Sequence, residues 1–551
     1  MKHLKKQFII ASIFFCLILW GQTLSANDQK IIPIKSNYYT VLEQLASTQG
    51  LSVSKTRPFS SDEFIMLLDK INPLLLDRIS AIRYKTLIDD LAQYSELSQK
   101  EIKGDFSVTL AFESYLHTEG DHFIHESDWV YDNEMRKPMV ALEFDSHVAK
   151  SIYLYTNFIV KNNRFSRPEE TSPPSPRIPV DTLMFSPSFS TNIVKMANQD
   201  FDVPSRAFIA VGGEGYSIQL GRDKLSWGPG DSGNFIIGNH HKYQEFLRFT
   251  FYNEDVKFTN AILFMQPPGY TTKERSPYVP ASPADYTVKM FLAHRLEFNV
   301  NSWLNIELSE NVIYQDTTFN AKYLNPLYIY HNFSNRSLFN AIADISIEAT
   351  ISKGLRVYTS IAFDQLTAPG ESSDQPAALG YMVGAKYYYP VARGWWDFLL
   401  EGVYIDPYMY LRDSVDFIVM TREREQYYGY VPHYEYLGYK DGGDLILATV
   451  KGKYHLNEAF SIASSFTYKA QGSMGFDTEY VVGAMDNINS PSSPVTHWFI
   501  STLSTQYSKN VSLLFFDSLS LYGEVNVVNK KESSNPTHTD FQFTFSVQLG
   551  L

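Results

Sequence analysis

Phe541-Gln542-Phe543-Thr544-Phe545-Ser546-Val547-Gln548-Leu549-Gly550-Leu551 ends the chain. Phe541, Phe543, Phe545, Val547, Leu549 and Leu551 fall on one face; Gln542, Thr544, Ser546, Gln548 and Gly550 fall on the other. Side chains alternate sides along a strand, so a period of two means a strand with one apolar and one polar face. Such a strand fits a soluble sandwich or a membrane barrel. Its length suits a tilted membrane strand, and its position at the C-terminus suits a barrel. A terminal amphipathic strand rich in aromatic residues is what outer-membrane barrels present to their assembly machinery, although those usually end in Phe and this one ends in Leu551.

The alternation recurs upstream. Phe106, Val108, Leu110 and Phe112 oppose Ser107, Thr109, Ala111 and Glu113. Leu292, Leu296, Phe298 and Val300 oppose Arg295, Glu297 and Asn299, with His294 interrupting the apolar side. Glu143, Asp145, Glu307, Asp344, Glu348 and Arg356 also sit on polar faces, so with Arg295 and Glu297 they are expected to line a lumen. There they pair across the space or face water, since an unpaired buried charge is costly.

The connections separate barrel from sandwich. Short turns at 147–150, 212–215, 253–255, 301–302, 352–353, 389–394, 456–458 and 508–516 alternate with long polar loops near 117–137, 162–206, 223–246, 266–288, 315–340, 364–378, 406–443, 471–496 and 530–539. Eight turns and nine loops predict a mainly β fold, an eighteen-stranded antiparallel transmembrane β-barrel over residues 105–551, with sixteen strands open because boundaries shift by a few residues. A sandwich has no reason to sort its connections by length.

Residues 27–104 read differently. Val41, Leu42, Leu45 and Ala46 form one helical stripe; Ser60 or Ser61 caps a second helix; Asn72-Pro73 marks the start of a third. A three-helix bundle this small buries too little surface to stand alone, so it is expected to dock on the barrel from the periplasm. Residues 1–26 carry Lys2, Lys5 and Lys6, an apolar run, and Leu24-Ser25-Ala26, the pattern of a cleaved secretory signal. Removing it takes away Cys16, the only cysteine, and leaves 44 basic against 60 acidic residues. That acidity argues against nucleic acid as a partner. One long apolar run excludes a polytopic helical membrane protein, and 44% hydrophobic residues exclude a disordered chain.

Gly221-Arg222-Asp223-Lys224-Leu225-Ser226-Trp227-Gly228-Pro229-Gly230 follows the amphipathic strand 216–220. Asn335-Arg336-Ser337-Leu338 precedes a strand bearing Asp344, and Asp364 follows after the next. These stretches, and the order of signal, bundle and barrel, resemble the Wzi-type capsule assembly family. The chain departs from the pattern at Gly238-Asn239-His240, where members often carry Ser-Asn-Asn. The resemblance implies a surface lectin that holds capsular or other surface polysaccharide, has a largely occluded barrel, and sits among outer-membrane lipids near envelope export proteins. It points to Arg222, Asp223 and Trp227. Independently, sugar recognition needs flat aromatic faces and planar hydrogen-bonding groups. Tyr330 and Arg336 in one outer loop, and Tyr410, Arg412, Arg422, Arg424, Tyr428 and Tyr430 in another, supply both; a girdle role for the tyrosines is the competing reading.

No cofactor or metal is expected. His117, His122 and His125 lie near Glu119, Asp121 and Glu126, and His240 adjoins His241, but neither group has metal-ligand spacing. No nucleophile elbow, phosphate loop or zinc-helix motif stands out, so binding and not catalysis is the expected activity. The alternative is a porin or substrate-specific channel.

Overall fold

The computed structural model describes residues 28–92, 102–123, 128–149, 151–163, 188–195, 199–266, 288–330, 338–365, 376–411, 415–425, 429–475, 478, 488–513, 515–533 and 535–551, with side chains at 422–432 left aside. The signal segment, Arg336, Arg412 and Tyr428 lie outside it, as do the side chains of Arg422, Arg424 and Tyr430.

Eighteen long antiparallel strands close into a barrel. Each pairs with its neighbours in sequence, and the first, Lys103–His117, meets the last, His538–Gly550, in register from Thr109 opposite Gly550 to His117 opposite Gln542. A short strand, Phe189–Thr191, lies against the first. Seven short turns fall as expected. The eighth is tighter, because Thr496–Leu513 and Phe516–Glu532 stay paired down to Leu513 opposite Phe516. Phe106, Phe112, Phe144, Phe158, Phe545 and Leu400 are exposed on the outward face.

Three helices precede the barrel: α1 (Asn37–Thr48), α2 (Ser61–Asp69) and α3 (Arg78–Ala92). Ser36 caps α1 and Ser60 caps α2, each side chain accepting a backbone N–H that the first turn leaves unpaired. Asn72-Pro73 opens only a three-residue 3-10 turn, Pro73–Leu75, and not the third helix. That helix starts at Asp77, whose carboxylate accepts from Ile79 N and Ser80 N. Tyr39, Leu42, Leu45, Phe59, Phe64, Leu68, Leu87 and Leu91 form its small core.

The helical unit docks on the short-turn end. Gly354 N donates to Ser47 O (2.8 Å) and Ser52 N to Ser302 O (2.8 Å). Arg83 pairs with Glu458 (2.8 Å), Lys30 with Asp145 (2.6 Å), and His147 Nε2 lies 2.9 Å from Asp28. From this dock the segment after α1 climbs into the lumen. Lys55 there reaches Glu348 (3.3 Å), and Lys257 reaches Glu63 (2.5 Å).

The eight lumenal charges all face inward. Arg295 binds Asp344 (3.0 Å) and Glu307 on neighbouring strands, not across the lumen. Arg356 binds Glu43 of α1 (2.7 Å), and Glu143 accepts from Tyr155 Oη (2.7 Å). Arg295 is fully buried and Glu307 and Asp344 nearly so, so their pairing offsets a desolvation cost of several kcal/mol per ion.

The barrel is not hollow, although a closed wall needs no solid core to stand. Towards the long-loop end its inner wall turns apolar at Ala261, Leu263, Phe291, Ala293, Ile313, Ile342, Ala362, Val403 and Ile405. Two loops fold inward onto this surface and make one core with it.

Candidate functional site

The first inward loop runs from Asp223 to Gln244 and carries Trp-Gly-Pro-Gly. Gly228 adopts φ +136°, a region that favours glycine, and a Cβ there would meet Asn234 Oδ1 at 2.5 Å. The turn therefore needs glycine, and it drives Trp227 down the lumen. There Ser226 and Trp227 pair antiparallel with Arg57 and Thr56 of the helical unit. A loop from the long-loop end and a segment of the helical unit thus form a two-stranded sheet inside the barrel. Trp227 is 1% exposed and bridges to Ile237, so it presents no face to a ligand.

Arg222 and Asp223 point to opposite sides of their strand. Asp223 is buried and accepts from Arg206 Nε (2.6 Å) and Gln219 Nε2 (2.9 Å). Arg222 binds Asp202 (2.9 Å) and Glu245, with its guanidinium 3.8 Å from the Tyr243 ring centroid. Both are fully engaged in holding strand ends.

The second inward loop spans 406–444 and includes a hairpin, Ile418–Glu425 with Gly429–Tyr436, which places Arg422, Arg424 and Tyr430 on its strands. Tyr410, expected at the surface, is 1% exposed. Its hydroxyl donates to Phe235 O (2.9 Å) and accepts from Tyr439 N (3.1 Å), so it joins the two loops. Their backbones touch: Gly238 N donates to Leu437 O (2.9 Å), and a Cβ on Gly238 would sit 2.2 Å from Gly438 O. His240 Nε2 donates to Tyr436 O (2.9 Å). Burial first, then the neighbouring His241, pushes the His240 imidazole down to about 3, so it stays neutral.

Tyr330 is also displaced from its expected place. Loop 317–330 folds outward over the wall. Tyr330, 2% exposed, stacks on His294 with ring centroids 4.7 Å apart, and its N–H donates to Glu310 (3.2 Å). Asn260, His294 and Glu310 lie on the outward face, the last two paired at 3.2 Å, and this loop covers them.

What the sequence reading missed is the space left beside the plug. A cavity of about 580 Å³ lies between the inward loops and the wall made by strands Leu445–His455, Phe460–Gln471, Thr496–Leu513 and Phe516–Glu532. Residues 128–135 of the first outer loop complete it. Aromatic residues from four different segments line it: Trp129, Tyr434 with the fully buried Tyr439, Trp498 and Tyr522. Thr449, Ser465, Thr467, Thr502 and Ser504 supply hydroxyls. Five of its seven carboxylates are paired: Asp128 with Lys530 (3.2 Å), Glu134 with Lys224 (3.1 Å), Asp231 with Lys386 (3.3 Å), Asp441 with Lys469 (3.0 Å) and Glu435 with His433 (3.0 Å); Asp132 accepts from Met135 N (3.1 Å) and Glu524 from Asn526 Nδ2 (2.8 Å). Lys469 Nζ also lies 4.5 Å from the Trp498 ring centroid. A smaller cavity of about 230 Å³ sits beneath, against α1, and shares Asp231, Leu399 and Lys451 with the first. Alternation could have marked Trp498, Tyr522 and Glu524 as inward-facing. No local signal ties them to Trp129 or Tyr439.

The fold and its interior define an outer-membrane β-barrel filled from both ends, by a helical unit below and folded loops above. More narrowly, the chain belongs to the capsule assembly protein Wzi family, whose match spans residues 181–493. The solved structure of Escherichia coli Wzi, described as an outer membrane protein involved in group 1 capsule assembly and a carbohydrate-binding β-barrel, has the same fold, with TM-score 0.57 at 14% identity over 94% of this chain and 98% of that one. Pseudomonas aeruginosa OprD (TM-score 0.42, 8% identity, 83% and 97% covered) and the Acinetobacter baumannii outer membrane channel DcaP (0.34, 9%, 83% and 100%) are more distant. No curated protein sequence matches significantly.

Proposed function

We propose that this protein binds a surface polysaccharide, capsular or similar, and holds it at the outer face of the cell. The cavity between plug and wall carries the reading. Its size falls within the ~300–1,000 Å³ usual for ligand sites, and it combines aromatic faces with many hydroxyl and amide-free polar groups on a rigid wall. Sugar rings present an apolar face and a rim of hydroxyls, and Trp129, Trp498 and Tyr522 with the Ser and Thr hydroxyls complement both. Lysines stand among the cavity's carboxylates, so the lining makes no single-sign ladder of the kind an ion-selective pore uses. The role is binding, with no chemical step assigned.

The roles first expected of Arg222, Asp223, Trp227, Tyr330 and Tyr410 pass, in this proposal, to the residues around the cavity. The test is retention of purified polysaccharide on immobilised, detergent-solubilised protein, with a panel of capsules. Trp498→Ala and Trp129→Ala are expected to lower retention by about tenfold each, since stacking contacts carry on the order of 1 kcal/mol or more, while the closed barrel still migrates as folded. Equal retention by both variants would remove the cavity from the reading. The second cavity favours a channel as the competing reading. Large steady conductance in planar bilayers, with no glycan retained by any panel member, would establish it instead.

A further inference from the structure

We propose that Glu119, His122 and His538 form a surface site for a zinc-class divalent ion, which ties the first outer loop to the last barrel strand. One ligand atom from each of the three residues can be chosen so that all lie within 4.8 Å of one another. The His122 and His538 rings stack with centroids 3.5 Å apart at 16°, and His122 Nδ1 lies 3.5 Å from Glu119 Oε1. Two imidazoles and one carboxylate are a donor set for zinc, or for nickel and copper, and not for calcium or magnesium, which take oxygen. Three protein ligands leave a fourth position for water.

The three residues arrive on a braced frame. Asp540, two positions beyond His538, accepts from Thr118 N (2.9 Å), Thr118 Oγ1 (3.2 Å) and Glu119 N (2.9 Å). Phe541 N in turn donates to Thr118 Oγ1 (3.0 Å). The backbone beneath the ligands is therefore fixed, while His122 is 48% exposed on its side chain and free to rotate. Glu119 Oε1 accepts from Asp121 N (3.0 Å), which orients the carboxylate. An ion needs only side-chain rotation to bring the two rings and the carboxylate onto one centre. The site also has a consequence for the molecule. The loop it fastens continues into residues 128–135, which complete the cavity wall, and it lies where first and last strands meet. The proposal stands whether or not the cavity binds glycan.

Tag-free full-length protein in detergent is titrated with zinc chloride near neutral pH by calorimetry, and cobalt is added separately to read its visible ligand-field bands. One zinc per chain is expected. His122→Ala and His538→Ala should each weaken it about tenfold or more, Glu119→Gln should weaken it less, and a His240→Gln/His241→Gln variant should bind as before. Zinc should also slow proteolysis of the first outer loop in the unsubstituted protein and not in His538→Ala. Heat-modifiable migration confirms that each variant is a closed barrel. The proposal fails if the unsubstituted protein takes up no zinc, or if His122→Ala/His538→Ala retains the full equivalent.

Discussion

Two outer loops, 406–444 and 317–330, leave the same end of the barrel, and each buries a tyrosine that its sequence offers to a sugar. They do so on opposite sides of the wall. Tyr410 goes inward, into a core with Phe235, Tyr439 and the apolar inner strand positions. Tyr330 goes outward, onto His294 and the pair it makes with Glu310. The face beneath each loop explains the choice. Inside, Ala261, Leu263, Phe291 and Ile313 offer apolar surface that water would otherwise wet. Outside, Asn260, His294 and Glu310 offer polar groups to a bilayer that cannot solvate them. The outer loop covers them, with Tyr330 N donating to Glu310, and exposes Leu327, Ile329 and Phe319 in their place. A loop's destination is thus set by what its strands leave uncovered, and not by its own aromatic content.

Three experiments break or sharpen that contrast. Tyr410→Ala removes a fully enclosed ring and the hydroxyl linking two loops. It should cost about 3–5 kcal/mol, the range for a buried aromatic cut to alanine, read as a lower denaturant midpoint in detergent, and glycan retention should fall with it because Tyr439 loses its anchor. Retention unchanged would separate the inner core from the cavity. Tyr330→Ala should cost less, about 1–2 kcal/mol, because acyl chains re-cover the apolar part of the gap and only the polar groups lose their shield. Retention should not move, and a matching loss of glycan would erase the distinction between the loops.

The third effect is with pH. The His240 imidazole is held at about 3 in the folded protein against its ordinary 6.5. Between those values the unfolded chain takes a proton that the folded chain refuses. Stability therefore declines as pH falls below 6.5, by at most about 1.4 kcal/mol per unit, and above 6.5 this residue contributes no pH dependence. His240→Gln should flatten the unfolding midpoint between 6.5 and about 5, and the outer loop should be indifferent to the same change. A slope that survives the substitution would assign it to another group.

Much of the wall was legible because its rules are local. Period two along Phe541–Leu551, and the sorting of short from long connections, follow from strand geometry alone. The inward direction of Arg295, Glu307 and Asp344 follows from the same parity, and His294, interrupting an apolar face, already marked where a cover was needed. The partners were not legible. Nothing near Trp227 in sequence announces Thr56, and nothing near His122 announces His538. Asn72-Pro73 signalled a helix start by rules that a 3-10 turn satisfies equally. The aromatic rings of the cavity come from four segments that only closure of the barrel brings together, so no spacing could have exposed them.

The short sheet of Thr56–Arg57 with Ser226–Trp227 gives the interior a mechanical meaning. In the function proposed above, the protein comes under tension whenever the polymer layer it holds is dragged. Pull on the outer loop passes through this sheet into the helical unit, and from there into the short turns it grips at Ser302, Gly354 and Glu458. Load is thereby shared around the rim of the barrel and is not borne by one strand end.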